Sequence, residues 1–127
     1  SVPGEKPQGS KTAQVSRAAV AATGNARIIA LIGPGGVLLR KKGVASVTRS
    51  AIGIFCLKPS STTINLGTVA PIVSVDYART SQVDAIVQFN SDHPDCPGRA
   101  LEVITLDRSA QGPYGRSDAV QFSIVVP

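Results

Sequence analysis

The residues with the most definite chemistry in this 127-residue chain are its two cysteines. Cys56 falls in an apolar run, and Cys96 falls in the loop Ser91-Asp92-His93-Pro94-Asp95-Cys96-Pro97. An even cysteine count in a small, β-rich, apparently exported chain reads as one disulfide formed in an oxidising compartment. The other option is two free thiols, with Cys56 buried as a small hydrophobe. A bridge closing a loop of this length stabilises a fold by about 4 kcal/mol in the chain-entropy model. The same loop carries Asp92, His93 and Asp95, whose oxygen and imidazole groups are ligand types for Ca²⁺ or Zn²⁺. Three such residues without a second cluster read better as a solvated acidic loop, so neither metal nor cofactor is expected.

Catalytic inventories are thin. A nucleophilic triad needs a base held by a third group, and the single histidine, His93, sits beside Pro94. The chain contains no Gly-x-Ser-x-Gly sequence. Gly33-Pro34-Gly35-Gly36 lacks the Gly-Lys-Ser/Thr continuation of a phosphate loop and reads as a hairpin turn. The expectation is a protein that is not an enzyme.

Charge is placed unevenly. Residues 1–63 hold nine Lys/Arg and one Glu, while residues 64–127 hold four Lys/Arg and seven Asp/Glu, for a net charge of +5 (8 − 3). The densest basic group is Arg40-Lys41-Lys42 with Arg49, suited to phosphates or anionic glycans. It has no interleaved aromatics on which bases would stack, so nucleic acid is not the expected partner. The asymmetry also suits head-to-tail association of copies, or simply two solvated faces of one domain. Tyr114 and Arg116, in Gln111-Gly112-Pro113-Tyr114-Gly115-Arg116, form a candidate ligand loop, since these types are enriched at interface hot spots. The alternative there is an ordinary surface turn.

The elements that must position these groups are strands. Val, Ile and Ala dominate the apolar content, aromatics make up only 4 %, and 12 Gly and 9 Pro supply turns. Short apolar runs at 27–32, 37–40, 44–49, 53–58 and 72–77 are separated by turn residues. Later runs alternate: Ala85, Val87 and Phe89 share a face, Leu101 and Val103 lie opposite Ile104 and Leu106, and Val120, Phe122, Ile124 and Val126 share a face. The pattern predicts an all-β fold, an antiparallel β-sandwich of about eight short strands over residues 25–127. The longest apolar run, at 28–32, is far too short to span a bilayer. The absence of an initial Met fits removal of a leader or of the initiator.

Residues 1–24 differ from the rest, being rich in Ser, Thr, Gly, Pro, Gln and Ala. Alone they cannot bury enough apolar surface to fold. They read as an extended N-terminal arm, with Lys6, Lys11 and Arg17 as its cations, held by a neighbouring subunit or packed along its own domain.

One stretch resembles a known module. Gly36, Leu38, Arg40, Gly43, Val44, Ser46, Arg49, Gly53 and Phe55 follow the pattern of a β-sandwich module found in secreted bacterial proteins of unknown function and in some phage tail-fibre and virion-surface proteins, and residues 118–126 resemble its last strand. Here the turn is Pro-Gly-Gly where that module has Asp-Gly, and the chain closes on Pro127 where it has Cys. The resemblance implies a sandwich and an extracellular or virion-surface location, with no chemistry attached. Together these readings point to a structural subunit that associates with copies of itself or with neighbouring structural proteins. The alternative is a secreted module that binds a cell-surface glycan or other ligand through its loops.

Overall fold

The computed structural model describes residues 26–80, 84–92, 94–108 and 112–127. The arm residues Lys6, Lys11 and Arg17, and His93 of the acidic loop, lie outside these. The described residues form nine strands: β1 (Ile28–Gly33), β2 (Val37–Lys42), β3 (Val44–Ala51), β4 (Ile54–Pro59), β5 (Ile72–Val75), β6 (Asp84–Asn90), β7 (Leu101–Arg108), β8 (Gly115–Arg116) and β9 (Phe122–Val126). They build two antiparallel sheets, a four-stranded one in the order β2-β1-β9-β5 and a five-stranded one in the order β3-β4-β7-β6, with β8 also paired to β7. The all-β sandwich expected from the sequence is the observed architecture. No helix among the described residues is long and apolar enough to cross a membrane.

Period-two patterning sets what each sheet buries. Ile28, Ala30 and Ile32 of β1, and Phe122, Ile124 and Val126 of β9, point inward and are almost wholly buried. Phe55 and Leu57 of β4, with Leu101 and Val103 of β7, face them from the other sheet. Phe55 and Phe122 meet at the centre with ring centroids 5.9 Å apart. The half-buried Leu38, Val47, Val73, Val87 and Phe89 close the sides of this core.

Two glycines are required where the chain changes direction. Gly43 carries the chain from the edge of one sheet to the edge of the other with φ +78°, and a Cβ there would stand 2.1 Å from the Arg27 carbonyl oxygen. Gly53, at φ +68°, turns β3 into β4, and its Cβ would meet the Thr105 carbonyl oxygen at 2.5 Å. The turn between the apolar runs at 37–40 and 44–49 is therefore a single residue. Both lysines complete β2, and Gly43 alone makes the turn.

Candidate functional site

The protein's own chain covers part of the outer face of the five-stranded sheet, around Cys56 and Glu102. Cys56 on β4 and Cys96 in the 91–100 loop are joined in a disulfide, with Cα atoms 5.5 Å apart. Both are buried, and together with Ala100 they make a small second core outside the sheet. The bridge expected from the cysteine count is present, and a fold carrying it is compatible with an oxidising compartment.

A second anchor for the loop is Glu102, which the sequence reading passed over. It stands opposite Cys56 on one neighbouring strand and Asn90 on the other. Its side chain is fully buried. One carboxylate oxygen accepts from the Asn90 amide at 2.9 Å, and the other accepts from the Asp95 backbone N–H at 2.9 Å. Ser50 of β3 donates to the Asp95 carbonyl at 2.8 Å. Arg99 donates to the carbonyls of Ser61 and Ile64, tying the loop to the 61–66 segment. The signal available in the sequence was a lone carboxylate inside Leu101-Glu102-Val103-Ile104, an apolar run on both faces. Asp92 and Asp95 are exposed, and the described residues include no cluster of three metal-ligating side chains.

Between this loop and β3 runs a groove of about 390 Å³. The hydroxyls of Ser46, Thr48 and Ser50, at every second position of β3, line one wall with Lys58, and Pro97 to Ala100 form the other.

The basic group does not stay together. Arg40, Lys41 and Lys42 are exposed on β2, an edge of the four-stranded sheet. Arg49 lies on β3, in the other sheet, where its Nε donates to Asp118 at 2.6 Å. The Gly43 crossover separates residues that are close in sequence, so Arg49 is removed from the patch. Asp118 is a hub at this end of the sandwich. Its second carboxylate oxygen accepts from the Gly53 N–H, and its carbonyl accepts from the Gly35 N–H, both at 2.8 Å.

Tyr114 and Arg116 are exposed, as expected of a surface loop, but they are tethered. Gly115 and Arg116 pair with Leu106 and Asp107 as the short strand β8. The Arg108 guanidinium lies 5.0 Å from the Tyr114 ring centre and donates to Asp84 at 2.8 Å. The hydrogen bond Arg108 donates to Asp84, then the charge of Asp84, then the nearby Tyr114 raise the Arg108 pKa above its ordinary high value.

The outer face of the four-stranded sheet is of another kind. Cross-strand pairing sets Ile72, Val125 and Ile29 in one row that ends at Lys42, and Ser74, Ser123 and Leu31 in the next, which ends at Arg40. Ile29, Leu31 and Val125 are half-buried, while Ile72, Leu39 and Val37 are 62 %, 50 % and 56 % exposed. A shallow hollow of about 810 Å³ opens along Leu31, Val37 and Leu39, bounded by Arg40, Asp76 and Arg79. No described loop lies over the Ile72–Val125–Ile29 row.

The chain matches no protein-family model, no curated protein and no solved structure.

Proposed function

We propose that the chain is a non-enzymatic structural subunit of an extracellular or virion-surface assembly, of phage decoration, fibre or tail type, which self-associates through its N-terminal arm. The observation that carries this reading is the apolar outer face of the four-stranded sheet. Ile72, Leu39 and Val37 are exposed there beside the half-buried Ile29, Leu31 and Val125, and apolar side chains grouped on one face suit a contact surface. Its cationic rim at Arg40 and Lys42 suits an acidic neighbour, and the second half of this same chain is acidic. The disulfide supports an oxidising location, and the resemblance of residues 36–55 to virion-surface and secreted modules supports the same setting.

The test is the mass in solution, by light scattering, of the native chain and of the double variant Leu39→Lys/Ile72→Lys. Both side chains are exposed, so the fold tolerates the change. The expected result is an oligomer for the native chain and a lower mass for the variant. One unchanged monomer mass for both would overturn the reading.

A second reading is a secreted module that binds a glycan or other surface ligand. It is favoured by the groove along Ser46, Thr48, Ser50 and Lys58, which presents hydroxyls and a cation over an apolar floor. It requires a monomer whose ligand binding is lost in Thr48→Ala/Lys58→Ala.

A further inference from the structure

The four sheet edges are not equivalent. β2 carries three consecutive cations, Arg40 to Lys42, a common protection against unwanted strand pairing. β5 has only four residues. β6 packs side by side with β5 across the sandwich and is mostly half-buried. β3 is different, with eight residues, six of them exposed, and no proline. Its only charged residue, Arg49, is already paired with Asp118. A long, exposed edge of low charge is a template for another strand.

The arm contains a segment suited to that edge. Ala13-Gln14-Val15-Ser16-Arg17-Ala18-Ala19 matches Ala45-Ser46-Val47-Thr48-Arg49-Ser50-Ala51 of β3 at four of seven positions, with Ser for Thr at a fifth. A sequence with the alternation of β3 can extend both faces of the sheet that β3 borders. The direction of pairing follows from charge. Parallel, in-phase pairing would set Arg17 beside Arg49, which is unfavourable. Antiparallel pairing with Val15 opposite Val47 sets Ser16 opposite Ser46, Arg17 opposite Ala45 and Ala13 opposite Arg49. Lys11 then falls opposite Ala51, at the end of β3 where Asp118 lies.

The described chain begins at Ala26, and Arg27 packs against Gly43, directly before β3. Residues 20–26 reach up to about 23 Å when extended, enough to cross to a domain packed alongside. The choice of a second copy over the arm's own β3 follows from the assembly reading.

We infer that residues 13–19 of one copy add as an antiparallel strand to β3 of a second copy, with Val15 opposite Val47. This rests on the reading of self-association through the arm and names the arm's receptor, a surface separate from the apolar face of the four-stranded sheet.

The experiment mixes two full-length single variants, Ser16→Cys and Ser46→Cys, under mild oxidation with the Cys56–Cys96 bridge intact, and reads chain mass on a gel without reductant. The expected result is a band at twice the chain mass in the mixture, strongly reduced when Ser50→Cys replaces Ser46→Cys. A link formed only inside the double variant Ser16→Cys/Ser46→Cys, at the mass of one chain, would show the arm on its own β3 and overturn the inference. No link in a chain whose light-scattering mass still depends on the arm would also overturn it while leaving the assembly reading standing. No link in a monomeric chain would overturn both.

Discussion

The two outer faces of this sandwich are handled differently. The five-stranded sheet is covered over Cys56 and Glu102 by the 91–100 loop, fixed covalently at Cys56–Cys96 and by the buried carboxylate of Glu102. The four-stranded sheet presents Ile29, Leu31, Leu39, Ile72 and Val125 with no described segment over their central row. A small domain has little core to spare, and covering part of one face with its own loop adds a second apolar cluster. Leaving the other face open places its contribution in contacts with something else. The contrast separates residues that hold the domain together from residues that join it to a partner.

The largest effect should come from the covered face. Replacing both cysteines by serine removes the loop closure and should cost about 4 kcal/mol in denaturant unfolding. A loss below 1 kcal/mol would mean that the loop holds without its bridge. Next comes Glu102→Ala, which leaves the Asn90 amide and the Asp95 N–H without their acceptor and should cost about 2–4 kcal/mol. Glu102→Gln, which keeps one carbonyl acceptor, should lose less. Arg49→Ala breaks a partly exposed ion pair, which is worth at most about 1 kcal/mol and weakens with salt. The smallest change in stability, within about 0.5 kcal/mol, is expected for Leu39→Lys/Ile72→Lys on the open face. A large loss of stability there would blur the contrast, because it would make that face part of the domain's own structure.

Much of this was legible in the sequence, and the exceptions share a cause. The alternation in Val120, Phe122, Ile124 and Val126 placed one inner face correctly, because a strand's period is a local property. The disulfide followed from the cysteine count. Glu102 escaped because its partners come from a neighbouring strand and from a loop seven residues back. Arg49 was grouped with Arg40-Lys41-Lys42 because sequence distance does not show that Gly43 moves the chain to the other sheet. The pairing of β8 with β7 is likewise set by tertiary packing, and nothing in Gly115-Arg116 marks a strand. The open apolar face had a signal in the outward phase of β1 and β9, at Ile29, Leu31 and Val125. It looked like part of one continuous apolar run because Ile28, Ala30 and Ile32 fill the inward phase.

The measurement that bears most directly on the central claim is the light-scattering mass of the full chain beside that of a chain lacking residues 1–24, at matched concentrations. The account predicts an oligomer that falls to a folded monomer when the arm is removed. Equal masses for the two chains would contradict self-association through the arm.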